Sequence, residues 1–464
     1  MRILIIILII NMNLTLFSQT YQMPHENELH EGTWLQWPHQ YEYGLAYRNS
    51  LDDTWVAMTQ SLVGGEKVHI IAYDNAEKDR IISMLSNVSV PLNNVDFFIF
   101  QTNDVWIRDN GPIFVRDNIG NLLVEDWGFN GWGGKYNYNL CDPIPSSIGA
   151  AISMPVVHLD SIMTNEGGAV ELDGNGVLLA CRSSIISQSP SNSVRNPGMT
   201  QSQAESIFAQ YLGVTKFIWL DGNVGDPIDV TDFHIDGIAK FLNDDTLVTM
   251  NNADLTYWGT SALDISALYE ASNVNSNVYT KIYLPLTQNN VVTTTGNNLG
   301  YKGSYVNYYV ANNVVMVPNY NDPNDVVANG IIQSLYPNRT VVGLDCRNLY
   351  EWGGMIHCVT QQQPLSTVTG LDDNIKTEIK VVQNFPNPFS ETTTINITLD
   401  KGADVYVCIY NSIGQIVLRQ EKPNLSAGQH SFKINAENLP NGIYTYVLGI
   451  DKQNRFFGRM AILH

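Results

Sequence analysis

Between residues 30 and 364 the apolar positions come in short alternating runs broken by polar, glycine-rich turns. Four segments share one construction: a polar or glycine-rich cluster, a strand-like run, a tight turn and a second strand-like run. They are WIRDNGPIFVRDNIGNLLVEDW, NEGGAVELDGNGVLLACRSS, FHIDGIAKFLNDDTLVTMNN and GSYVNYYVANNVVMVPNYND. The turn-favouring DNIGN, DGNG, NDD and ANN between alternating residues predict hairpins. The clusters start near Asp109, Glu166, His234 and Ser304, at intervals of 57, 68 and 70 residues, and Cys358 follows 54 later. That is a loose repeat of about 60 residues. Helix-like TQSQAESIFAQYLGV at 200–214, followed by strand-like KFIWL, makes the unit β-rich with one helix. A last strand ending at Cys358 lacks a hairpin partner, and EGTWLQWPH at 31–39 lacks a predecessor. Pairing the two closes a ring of five units without free edges, whereas the number of hairpins disfavours an open α/β sheet.

The texture changes at both ends. MRILIIILIINMNLTLFSQT carries one positive charge at Arg2, an apolar run to Phe17 and the small residue Ser18, the layout of a secretory leader cut near Ser18 or Gln19. No other stretch is apolar for long enough to span a membrane. After Pro364, LSTVTGLDDNIKTEIK reads as a polar linker, and short alternating runs such as ADVYVCIYN and GIYTYVLGI predict a small all-β sandwich. FPNPF, SIGQIV, LSAGQHSF, LPNGIYTYVL and GRMAIL resemble the C-terminal sorting domain of proteins exported by the type IX secretion system. The expected divisions are a leader over 1–18, a catalytic region over 19–365, a linker over 366–380 and the β-sandwich over 381–464. The resemblance implies the type IX secretion machinery as a partner and a secreted or cell-surface protein.

Charge narrows the partners. With 45 Asp and Glu against 25 Lys and Arg, a net charge of −20 disfavours nucleic acid and anionic lipid and favours small cations. Five cysteines, an odd number, leave at least one thiol unpaired in a monomer, so disulfides do not organise the fold.

Rotational symmetry among the units would bring their polar clusters to one axis, with Asp109, Glu166, His234, Asp236 and Cys358 in a central site. Taken singly, Asp109 before Asn110-Gly111-Pro112 fits a turn former, Glu166 an exposed loop carboxylate, and His234 a satisfied core residue. In a strand, His234 and Asp236 share a face across Ile235, and burying that face requires the groups to pair or to bind something. Together the residues make a set. Carboxylates match a planar guanidinium through paired hydrogen bonds, and a bound cation or a neighbouring positive charge turns a thiol into a nucleophile. His357 is an unlikely base for Cys358, because neighbours on a strand point to opposite faces. Gly353 and Gly354 are expected to let the chain approach the centre closely.

WIRDNGP, NEGGAVELDGNG, DVTDFHIDG, YVNYYVANN and GGMIHCVTQQQP, in this order, resemble the agmatine deiminase and bacterial peptidylarginine deiminase family of guanidine-modifying enzymes. EGTWLQWPH, FNGWGGKYNYN and YLGVTKFIWL extend the resemblance over nearly all of 30–364. It implies the five-bladed α/β-propeller called the pentein fold, and hydrolytic deimination without metal or organic cofactor. By the same resemblance Cys358 is the nucleophile, His234 the general acid and base, Glu166 the support of the histidine, and Asp109 and Asp236 the guanidinium clamps. Trp106, Trp132 and Asn307 join the substrate site, Asn307 at its entrance.

The family's enzyme for C-terminal arginine pairs the substrate carboxylate with two arginines in the loop that here reads WGFNGWGGKYNYNLCDPIP, with no arginine and a single Lys135. Trp132, Tyr136 and Tyr138 suit a slim diamine chain, and Asp142 could meet a distal amine, so agmatine is the favoured substrate. Export favours peptidyl or free arginine instead, and Lys135 keeps that alternative open. An amidinotransferase, or a binding protein on the same scaffold, completes the set of readings.

Overall fold

The computed structural model describes residues 21–186, 195–223, 229–366, 379–399, 402–410, 416–437, 439–450 and 454–464. The expected leader and most of the expected linker lie outside them. The chain forms two units, Met1–Val368 and Thr369–His464.

In the first unit β1 (His30–Gln36), β2 (Lys67–Ala72) and β3 (Val95–Ile99) run parallel. Four triplets follow: β4 (Ile113–Arg116), β5 (Leu122–Gly128) and β6 (Val156–Thr164); β7 (Val170–Leu172), β8 (Val177–Cys181) and β9 (Lys216–Leu220); β10 (Ala239–Asn243), β11 (Thr246–Thr249) and β12 (Thr280–Tyr283); β13 (Tyr309–Val310), β14 (Val314–Asn319) and β15 (Thr340–Asp345). Finally β16 (Gln361–Pro364) returns to pair antiparallel with β1, Trp34 opposite Gln361.

All five sheets follow one plan. Two strands pair antiparallel, and a third runs parallel to the second. In each case a helix precedes that parallel strand: Gly44–Leu62, Ile144–Ala151, Gln201–Tyr211, Ala262–Glu270 and Asn324–Leu335. The hairpin turns form where the sequence placed them. Between β7 and β8, Asp173 Oδ1 accepts from the amides of Asn175 and Val177 at 2.8 and 2.9 Å, while Gly174 and Gly176 take φ of +74° and +103°. The helices cover the sheets, burying Leu51, Trp55 and Met58 of the first helix, Phe208 of the third and Ile332 of the fifth. Each such side chain removed from water contributes about 1.5–3 kcal/mol.

One boundary differs from expectation. The last strand does not end at Cys358 but begins at Gln361. Gln361, Gln362 and Gln363 are buried in it: Gln363 Oε1 accepts from Trp34 Nε1 at 2.9 Å, and Gln361 Nε2 donates to the Pro112 carbonyl at 2.7 Å. A run of buried amides carries no apolar alternation to mark a strand.

The second unit contains β17 (Ile379–Phe385), β18 (Thr392–Leu399), β19 (Ala403–Tyr410), β20 (Ile416–Leu425), β21 (Gly428–Asn435), β22 (Gly442–Ile450) and β23 (Asn454–Ile462). They form two antiparallel sheets, ordered β17-β18-β21 and β20-β19-β22-β23. Alternate residues of both sheets, among them Ile395, Ile397, Val405, Val407, Phe432 and Leu448, fill one core. Among the described residues no helix is long and apolar enough to cross a membrane.

Candidate active site

Four of the five sheets have one helical turn just ahead of an antiparallel strand: Ile107–Asn110 before β4, Gly167–Ala169 before β7, Ile235–Gly237 before β10 and His357–Val359 before β16. The first turn packs on the second and the fourth, and the second packs on the third. This clustering gathers Asp109, Glu166, His234, Asp236 and Cys358, which the sequence scatters over 250 positions. A Cβ added to Gly168 would lie 2.7 Å from His234 Nδ1, 2.8 Å from Asp109 Oδ1 and 3.1 Å from Asp236 Oδ2. Three polar groups therefore converge on one point that a glycine leaves open. Gly168 N also donates to Asp109 Oδ1 at 3.2 Å.

The strand reading of His234 and Asp236 is corrected here. His234 is a single extended residue and Asp236 sits on the 3-10 turn that follows it. The chain enters that turn through a bend in which Asp232 and Phe233 hold φ of 55° and 78°, a conformation that costs a non-glycine residue about 1–3 kcal/mol. Asp229 supports the bend by accepting from the amides of Thr231 and Phe233, each at 2.9 Å, and Thr231 Oγ1 accepts from His234 N at 3.1 Å. His357 is corrected for the same reason. It shares a helical turn with Cys358, not a strand, and its Nδ1 lies 2.8 Å from Asp236 Oδ2.

Pairing separates the carboxylates electrostatically. Burial opposes ionisation of Glu166, but Arg195 and then His234 hold it below the usual carboxylate range; His234 Nε2 lies 2.7 Å from Glu166 Oε2. Asp236 is likewise held low against its burial by the hydrogen bond and charge of His357, helped by His234 and Arg108. For Asp109, burial dominates and pushes its carboxyl up to about 6. Burial pulls His234 down, but Asp109 and Glu166 outweigh it and raise the imidazole to about 9. Burial, then Asp236 and Asp109, push the Cys358 thiol well above its ordinary value. A cation bound beside Asp109 and Asp236 would offset the two charges that raise the thiol and so favour the thiolate.

The remaining candidates fall into two groups. Trp132 Nε1 donates to Asp109 Oδ2 at 2.9 Å, fixing the carboxylate whose other oxygen faces the cleft. Trp106 leads into the Asp109 turn and packs flush with Gly354, where any Cβ would strike the indole. Gly353 has a different reason to be glycine, a φ of +98°. Asn307 is not at an entrance: it is fully buried, with Nδ2 donating to Cys358 Sγ at 3.3 Å and Oδ1 accepting from His357 N at 2.9 Å. Tyr136 and Tyr138 are exposed, and Asp142 Oδ1 accepts from Phe129 N at 2.9 Å within its own loop. Lys135 Nζ lies 2.8 Å from Asp232 Oδ2 and donates to the Val230 carbonyl at 2.6 Å.

Arg195, Asp232 and His357 escaped the sequence reading as partners. Arg195 forks onto Glu166, Nε to Oε1 at 2.9 Å and a terminal nitrogen to Oε2 at 3.2 Å, and its other terminal nitrogen pairs with Asp232. A buried Glu166 demands a cation, but nothing in SNSVRNPGMT distinguishes Arg195 from the other basic residues. All five cysteines are free thiols, and among the described residues no three His, Cys, Asp or Glu side chains are grouped to hold a metal ion.

The fold and this site define a hydrolase that acts on carbon–nitrogen bonds, of the guanidine-modifying deiminase kind. Residues 22–364 match the Porphyromonas-type peptidyl-arginine deiminase family model, and the chain belongs to that family. A Latilactobacillus sakei relative, provisionally named an agmatine deiminase, is 31% identical over 366 residues, covering 74% of this chain and 96% of its own. Agmatine deiminase of Pseudomonas aeruginosa is 27% identical, with 74% and 95% covered. The solved agmatine deiminase of Enterococcus faecalis superposes with a TM-score of 0.63 at 25% identity, covering 74% of this chain and 96% of that one. Residues 383–458 match a secretion system C-terminal sorting domain, which marks the protein for secretion or the cell surface.

Proposed function

We propose that the protein removes ammonia from the guanidinium of agmatine, giving N-carbamoylputrescine through a covalent amidino-Cys358 intermediate. The observation that carries this reading is the convergence of Asp109, Asp236 and His234 on the open point above Gly168, with Cys358 Sγ 3.8 Å from Asp236 Oδ2. Asp109 and Asp236 hold the guanidinium, and its charge draws out the thiolate. Sulfur adds to the central carbon, protonated His234 gives its proton to the departing nitrogen, and the carbon–nitrogen bond breaks to release ammonia. Neutral His234 then takes a proton from water. The hydroxide adds to the amidino carbon, the carbon–sulfur bond breaks, the thiolate returns, and the last proton passes to solvent. Glu166 supports His234 throughout. Five sheets of one plan, joined at β1 and β16, support a closed five-bladed arrangement around the site.

The substrate's far end is read from Lys135. Its pairing with Asp232 and the Val230 carbonyl leaves the loop poorly equipped to bind a substrate carboxylate, which favours agmatine. Peptidyl or free arginine is the second reading, favoured by the sorting domain, because an exported enzyme meets peptides. An ammonia-release assay on agmatine, arginine, and peptides with internal or C-terminal arginine decides between them. Turnover of agmatine by far the fastest is expected; turnover of peptides alone rejects the substrate assignment.

The pH profile follows from the same groups. Asp109, at about 6, must be ionised to bind a guanidinium, and His234, at about 9, must be protonated to release ammonia. We expect kcat/KM for agmatine to fall as pH drops through about 6 and to fall again above about 9. A flat profile between about pH 5 and 7 would remove Asp109 from this role.

A further inference from the structure

One nearly buried carboxylate has no part in the chemistry above. Glu26, with a side chain 10% exposed, lies in the segment ahead of β1. That segment is stitched across several units: Gln22 bridges Arg116 of β4, Met23 N donates to the Leu212 carbonyl at 3.1 Å, and Asn27 Nδ2 donates to the Leu242 carbonyl at 2.6 Å. Glu26 Oε1 accepts from Val310 N at 2.9 Å. Its Oε2 receives Lys240 Nζ at 2.9 Å and faces His357 Nε2 at 2.8 Å, with Arg108 at 3.9 Å. The other ring nitrogen of His357 faces Asp236 Oδ2 at 2.8 Å.

We propose that Glu26 is a positioning residue which, through His357, keeps Asp236 ionised and aimed at the guanidinium. The inference rests on the reading of Asp236 as a guanidinium ligand. Glu26 does not face the point above Gly168, so its effect reaches the substrate through a hydrogen-bonded chain, Glu26–His357–Asp236. The charged surroundings are consistent with that direction. Glu26 is faced by Lys240, His357 and Arg108, with Glu171 behind Lys240 at 4.0 Å; the His357 ring is flanked by the Tyr309 ring; Asp236 is faced by His357, His234, Cys358 and, further off, Asp109 and Arg108. Among the described residues facing both carboxylates, His357 is the one that hydrogen-bonds to both Glu26 and Asp236. Asn307 holds the turn that carries it by accepting from His357 N.

The test is Glu26→Gln, which keeps the size and an acceptor but removes the charge. Steady-state kinetics on agmatine across pH, with thermal midpoints, should show KM raised about tenfold and kcat within about threefold, while the acid limb near pH 6, which Asp109 sets, stays in place. Lys240→Met removes a different partner of the same carboxylate. It should lower the thermal midpoint without raising KM, so the same rise of KM in both variants would make Glu26 merely structural and overturn the proposal. A wild-type KM in Glu26→Gln would overturn it directly. Should the amide variant not fold, His357→Gln reads the link from its other end: a KM raised about tenfold is expected, and a wild-type KM overturns the proposal. Cys358→Ala separates the two levels. If Cys358→Ala still turns over, the reading of the site fails; if it is inert while Glu26→Gln behaves as wild type, only this inference fails.

Discussion

Replacing Cys358 with alanine is expected to lower ammonia release from agmatine by at least about 10⁴-fold, the scale on which loss of a covalent nucleophile is felt. The substitution should barely disturb the fold. Cys358 is only partly buried, its sulfur makes long contacts with Asn307 and Asp236, and its backbone turn is fixed by other groups. A thermal midpoint within a few degrees of wild type, together with lost turnover, is the expected pair of results. Turnover within about tenfold of wild type would assign the attack to another group, water included. Cys141, Cys181 and Cys346 supply the internal comparison: burial raises each of these thiols, but all three pack within the hydrophobic core, away from Asp109, His234 and Asp236.

Arg195→Met is expected to destabilise the first unit by about 3–5 kcal/mol, because it strips two buried carboxylates of a shared cation. Glu166 would keep His234 as its charged partner among the described residues, and Asp232 would keep Lys135. Neither replaces a two-point fork at the same depth. Activity should fall with stability, since Glu166, held then by His234 alone, no longer fixes the imidazole beside Asp109. Arg195→Lys restores charge but not the fork and should fall between the two. Urea denaturation midpoints for the three proteins make the comparison, and equal midpoints would mean that the buried carboxylates had found other partners.

Much of this arrangement was legible before any coordinates. Turn-favouring segments of three to five residues between alternating apolar positions located the hairpins, and the loose spacing of polar clusters pointed to residues that come together. What escaped was whatever lacked periodicity. Among the parallel third strands, Val156–Thr164, Thr280–Tyr283 and Thr340–Asp345 are largely exposed or half-buried, so no run of buried residues announces them. The helical turns carrying Asp236 and Cys358 are three residues long and show too little repeat to be told from strand. Partners such as Arg195 and Glu26 are chosen by tertiary geometry among many residues of like charge, and spacing along the chain carries no record of that choice.

The pairing of β1 with β16 also has a consequence in time. During synthesis β1 emerges early and holds one edge exposed until residues 361–364 arrive, more than 300 positions later. Cys358, the proposed nucleophile, lies three residues ahead of β16, so it takes its place together with the last strand of the unit. A nascent chain, or one held extended for passage through a membrane, therefore has Asp109 and His234 without Cys358 beside them. The proposed site is complete only when folding is, a long-range and slow step by topology.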